Sequence, residues 1–193
     1  MSFSTKIRTF DQFQKKSNVQ IRKITKQISL SKYLFVFTLL GSCHRLVKWF
    51  MDQEGISNNL ISVNMPYSTI AIDQELSFKS SSYVNTNICR ELAINNFNKY
   101  SNMINMPENL ISLAVSSSLQ TNRRKLSSDR SFITLFGHEI NSNYEINFLD
   151  DKLNRKHQDY IISYLVLNIL LNPEIKVVKD LIPSLADITI IDK

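Results

Sequence analysis

Leu34-Phe35-Val36-Phe37-Thr38-Leu39-Leu40, closed by Gly41-Ser42, is the stretch that decides the fold. It is a continuous run of apolar, β-branched and aromatic residues without polar alternation, as expected of a strand buried on both faces. Working outward, Leu46, Trp49, Phe50 and Gln53 fall at helical spacing, with Arg45, Lys48 and Asp52 opposite, so residues 43–53 predict an amphipathic helix closed by Gly55. Residues 60–65 predict a second strand, ended by Pro66-Tyr67-Ser68 because proline cannot donate to a ladder. A short helix is expected over 70–76, a serine loop over 78–83, and a helix capped by Asn85 or Thr86 that runs to about Tyr100. Strands are predicted over 110–116, 131–136 and 144–148, the last two close enough to form a hairpin. A long helix follows over 154–171, with Ile161, Tyr164, Leu165, Asn168 and Ile169 inward, and Pro173 stops it. Residues 188–191 read as an edge strand or a docking segment. Strands interleaved with helices imply a single α/β domain with crossover helices.

Composition narrows the function. A chain of 193 residues with 43% apolar and 21% charged residues fits one globular domain. It carries three glycines, where average usage of about 7% would give about a dozen, so glycine-rich phosphate loops are poorly supplied. Walker, HExxH, GxSxG, paired CxxC and GxGxxG motifs are absent, and no cofactor or metal is implied. Two cysteines, Cys43 and Cys89, make no disulfide framework, which favours a reducing compartment. The longest apolar runs, 33–40 and 160–171, fall short of the ~20 residues a membrane span needs.

Charge is unevenly placed. Residues 1–33 hold Lys6, Arg8, Lys15, Lys16, Arg22, Lys23, Lys26 and Lys32 against Asp11, a net +7; with +6 in total, the rest of the chain sums to −1. The chain is therefore divided into a basic N-terminal arm (1–33), an α/β body (34–171) and a C-terminal tail (172–193). The arm has the acid-poor, Ser/Thr-rich composition of a mitochondrial transit peptide, although Lys leads where Arg is usual. A retained arm lying on RNA phosphates or on a partner's acidic surface has the same composition, and so does a solvated tail.

Three turns at strand ends are the chemical candidates. Gly41-Ser42-Cys43-His44 joins a buried strand to a helix; its hydroxyl and amides could hold an anion and His44 could move a proton, or it is an ordinary capped turn. Ser116-Ser117-Ser118, followed by Thr121, Arg123, Arg124, Lys125 and Arg130, supplies hydroxyls and cations for a phosphate, or forms a solvated basic hairpin. Tyr67, after Pro66, is placed to stack on a base or to fill the core.

Taken in order, Gly41-Ser42, Trp49, Gly55-Ile56-Ser57, Pro66-Tyr67-Ser68, then residues 118–125 (SLQTNRRK) and Arg130 resemble the C-terminal domain of the CinA family, most closely its eukaryotic branch. Trp49 precedes Gly55 by six residues and Gly55 precedes Pro66 by eleven, as in that pattern. The resemblance covers about 34–171. It implies an α/β sandwich, commonly oligomeric, and deamidation of nicotinamide mononucleotide to nicotinate mononucleotide and ammonia. It would place Ser42 and Tyr67 at the reacting amide as catalytic residues. Ser68, Ser116 and Ser118 would contact the nucleotide, with Arg123, Lys125 and Arg155 facing its phosphate.

The turn departs from the family pattern. Cys43, His44 and Arg45 stand where glycines let a backbone approach a ligand, Glu54 replaces a proline, and Ser117 replaces a glycine. The expectation is therefore an inactive relative kept as a structural subunit of a mitochondrial (matrix) assembly such as the mitochondrial ribosome. Its partners would be other subunits, RNA through Lys6, Arg8, Lys15, Lys16, Arg22, Lys23 and Lys26, or a second copy of the chain. The alternative is an active nicotinamide mononucleotide deamidase-type amidohydrolase.

Overall fold

The computed structural model of the protein describes residues 9–122, 128–149, 153–172 and 185–192. Lys6, Arg8, Arg123 and Lys125 lie outside these residues. The chain order is α1 (Phe10–Ser29), β1 (Leu34–Leu40), α2 (His44–Met51), β2 (Leu60–Asn64), α3 (Thr69–Leu76), α4 (Thr86–Ser101), β3 (Leu110–Ser118), β4 (Arg130–Gly137), β5 (Asn141–Phe148), α5 (Arg155–Leu171) and β6 (Ala186–Asp192). Six strands form one mixed sheet in the order β2-β1-β3-β4-β5-β6. The first three are mutually parallel and the last three add antiparallel.

The apolar run of β1 is buried on both sides, as its composition demands, because it lies between β2 and β3 and under helices on both faces. Phe35, Phe37 and Leu39 join α1, α2 and α5 in the larger core; Leu40 joins α3 and α4 in the smaller one. Thr38, on the α4 side, has its hydroxyl met by Asn96 Nδ2 at 3.0 Å, so the polar atom inside the strand is satisfied. The connection from β1 to β2 crosses one face through α2, and that from β2 to β3 crosses the other through α3 and α4. The carboxyl ends of all three parallel strands therefore open on one sheet edge between helices of opposite faces, where open α/β sheets place ligands.

The stretch set apart as an arm behaves differently from a detached tail. Residues 10–29 form a helix capped by Thr9, whose hydroxyl accepts from the Gln12 amide at 3.4 Å. Phe13, Ser17, Ile21, Ile24, Thr25 and Ile28 line its buried face. Phe13 meets the rings of Tyr160 and Tyr164 edge-on at 5.9 and 5.2 Å, and Ser17 Oγ lies 2.8 Å from Tyr160 Oη. Tyr164 donates its hydroxyl to the Gln20 side chain. Helix α5 is consequently buried almost all round, from Gln158 to Leu170 with Asn168 half-buried, rather than along one inward face. The basic residues Lys15, Lys16, Arg22, Lys23 and Lys26 occupy the opposite, exposed face of α1. In the tail, β6 pairs antiparallel with β5 and closes that edge of the sheet. Among the described residues, no helix is long and apolar enough to cross a membrane, and no cluster of His, Cys, Asp and Glu could hold a metal ion.

Candidate functional site

Gly41 ends β1 with φ +78°, a conformation that L side chains resist, and its Cα faces the strand-end carbonyl of Ser117: a Cβ here would stand 2.6 Å from that oxygen. The tight approach brings the next residue against β3. Ser42 Oγ is 2.6 Å from Ser117 Oγ, which in turn is 2.7 Å from Ser131 Oγ on β4. Three strands are thus tied by a chain of hydroxyls that polarise one another. Ser42 is only 4% exposed, and its hydroxyl is engaged within the fold.

Cys43 follows with φ +70° and caps α2 without a side-chain hydrogen bond. The cap is supplied from α5 instead. Asp159 Oδ1 accepts the His44 backbone N–H at 3.3 Å and lies 2.9 Å from His44 Nδ1, while Arg45 Nε stands 3.5 Å from Oδ2. Burial pushes the Asp159 carboxyl above its ordinary value, opposed by His44 and Arg45. His44 is held by Asp159 yet 61% exposed, so its ring is oriented and accessible together. Neither thiol is a nucleophile in waiting: burial raises Cys43 well above the ordinary thiol value and Cys89 to about 12.

These residues surround a cleft of about 210 Å³ lined by Leu39, Gly41, Ser42, His44, Met65, Tyr67, Leu119, Arg155 and Asp159. The ends of β1, β2 and β3 all reach this cleft, although Ser118 is not among its lining residues. Ser42 and Tyr67 share the cleft, and β3 contributes through Leu119, the residue after Ser118. Tyr67 is 87% exposed and stands at the mouth rather than folding over it. Arg155, exposed at the start of α5, donates from Nη2 to the Gly41 carbonyl at 2.9 Å. Its charge is turned onto the protein's own turn.

Two predicted contacts do not reach the cleft. Ser116 points to the opposite face, because side chains alternate along β3, and donates to the Tyr83 carbonyl at 2.6 Å from a fully buried position. Ser68 is the N-cap of α3, accepting from the Ala71 amide at 3.3 Å. Ser118 is half-buried and pairs in register with Arg130 at the end of the β3–β4 ladder. The residue that sequence inspection passes over is Asp159. Its signal is an acid standing inside an otherwise apolar helix, an arrangement that requires a partner.

The chain matches no protein-family model and no curated protein. Among solved structures it superposes on a competence-damaged protein (CinA) superfamily protein from Klebsiella pneumoniae with TM-score 0.65 at 8% identity, covering 80% of this chain and 95% of that one. A competence or damage-inducible protein from Enterobacter asburiae gives TM-score 0.64 at 14% identity over 79% and 97% of the two chains. The competence/damage-inducible protein CihA from Agrobacterium tumefaciens gives 0.62 at 13% over 79% and 95%. The fold, a single α/β domain with a six-stranded mixed sheet, is similar to that of these CinA superfamily structures.

Proposed function

We propose that this is a CinA-fold protein whose cleft no longer processes a nucleotide, and that it serves as a structural subunit of a mitochondrial matrix assembly such as the mitochondrial ribosome. One observation carries the loss of catalysis: the groups expected to meet a substrate are spent on one another. Arg155 is bonded to Gly41 O, Ser42 to Ser117, and His44 and Asp159 to each other. The space left, about 210 Å³, is below the roughly 300 Å³ at which small-molecule sites begin. The assembly role draws on the acid-free exposed face of α1 beyond Asp11, whose lysines and arginine suit phosphates or acidic protein surfaces. Sedimentation of the native protein tests it. Co-migration with an RNA-containing particle at fixed stoichiometry is expected, whereas a free small oligomer would overturn the assembly role.

A second reading, an active nicotinamide mononucleotide deamidase-type amidohydrolase, is favoured by the His44–Asp159 pair alone. Asp159 fixes the ring through Nδ1, leaving the other nitrogen to take a proton from water as its oxygen attacks the amide carbon; the same proton then leaves with the amide nitrogen as ammonia. Ammonia release from the mononucleotide that is lost in His44→Ala, Ser42→Ala and Tyr67→Phe would establish it. No release at millimolar substrate would remove it.

A further inference from the structure

A second, wider concavity lies away from the cleft, between α1 and α2. It encloses about 950 Å³ and is lined by Asn18, Val19, Ile21, Arg22, Thr25, Lys26, Lys48, Trp49, Asp52 and Gln53. Three cations face Asp52, which is already held by Lys48 at 2.5 Å, so the lining carries a net charge of +2. Lys15 continues the stripe of Val19, Arg22 and Lys26 along α1, at spacings of four, three and four residues, over about 16 Å of helix at 1.5 Å per residue. Trp49 is half-buried in this groove, its ring braced edge-on by Tyr160 at 5.3 Å. The remainder is buried Ile21 with three polar side chains, Asn18, Gln53 and Thr25, whose hydroxyl donates to Gln53 Oε1 at 3.3 Å.

We infer that the α1–α2 groove is a binding site for single-stranded RNA, in which Trp49 stacks a base while Arg22, Lys26 and Lys48 neutralise flanking phosphates. A braced aromatic ring beside a row of cations is the combination by which such strands are held, because every base has a π-face and every link a charge. An acidic amphipathic helix is the competing occupant. It would need a row of apolar sockets spaced one turn apart, and Val19, 76% exposed, is the single exposed aliphatic residue in the lining. Asn18 and Gln53 stand where those sockets would be, their amides held by Tyr160, Thr25 and the Glu54 carbonyl. The inference rests on the assembly-subunit reading but concerns only which surface meets RNA.

Trp49 is the chain's one tryptophan, so the proposed contact carries its own reporter. The full chain is titrated with a fluorescein-labelled 12-nucleotide oligouridylate, followed by anisotropy, and with the unlabelled strand, followed by Trp49 emission. Quenching with the same midpoint as the anisotropy is expected. Arg22→Glu with Lys26→Glu, both exposed and remote from the core, should weaken binding at least tenfold and flatten the salt slope by about 1.4, at about 0.7 per phosphate contact. Trp49→Phe, which keeps a ring against Tyr160, should weaken it severalfold and leave the salt slope unchanged. RNA binding with unaltered Trp49 emission and no effect of the charge reversals would place RNA elsewhere on the protein, refuting the groove while leaving the assembly role intact. Tighter quenching by an acidic peptide such as oligoglutamate than by the oligonucleotide would overturn the choice of occupant. No binding of the strand at low salt would refute the proposal outright.

Discussion

Replacing Phe13 by alanine decides whether α1 is a wall of the body or an attachment to it. The ring is 2% exposed and packs edge-on against Tyr160 and Tyr164 while contributing to the main core. Truncating a buried phenylalanine costs about 3–5 kcal/mol, of which the two aromatic contacts account for roughly 0.5–1.5 kcal/mol each. Against a total stability of about 5–15 kcal/mol, that is a large share. With a urea m-value of about 2.5 kcal/mol/M, the unfolding midpoint should fall by about 1.5 M. Val19→Ala on the exposed side of the same helix should stay within about 0.5 kcal/mol. Urea titrations followed by far-UV circular dichroism give both numbers. A Phe13→Ala shift as small as that of Val19→Ala would refute the docking of α1 and return residues 10–29 to the status of an appended arm.

Three further outcomes follow from the cleft and its surroundings. Gly41→Ala should lower the melting temperature well beyond Gly55→Ala: both residues have φ near +80°, but only at Gly41 would the added carbon meet a backbone oxygen, at 2.6 Å, so equal shifts would contradict the described approach to Ser117. Asp159 is raised above its ordinary value of 3.8, so the folded state binds more protons than the unfolded chain between the two values, and the group's contribution falls as pH rises through the folded pKa. Asp159→Asn should therefore gain on the wild type as urea midpoints are compared from pH 4 to pH 7; the reverse trend would mean that His44 and Arg45 outweigh burial. Cys43 and Cys89 are both buried with raised thiols, so a thiol-specific colorimetric reagent should react with neither until denaturant is added, and fast reaction of the folded chain would count against their burial.

Much of the body is legible because local and tertiary preferences agree in it. The unbroken apolar run of β1 could only be satisfied under two layers of helix, and Asn85 and Asn154 mark their helix starts by accepting from amides inside the first turn. The fate of α1 was less evident. Its cations dominate the composition, while Phe13, Ile21, Ile24 and Ile28 recur at the helical period that signals a buried face. The complementary clue lies far along the chain, where residues 160–171 are apolar on every side and require cover beyond the sheet. The cleft divided in the same way. The meeting of Ser42 with Tyr67 follows from parallel strand ends. That Ser116 faces away depends on the parity of β3, and that Asp159 reaches His44 depends on the seating of α5 over α2; neither is encoded in spacing alone.

The pairing of α1 with α5 also sets an order of events for the nascent chain. Ser17 and Tyr160 are 143 positions apart, so α1 leaves the ribosome well before the helix that covers its greasy side. At about 5–20 residues per second, that interval is about 7–30 s. For its duration a cationic, amphipathic segment stays without its cover. A chaperone can engage it then by the same side that maturity later hides, and the docking of α1 against α5 releases it.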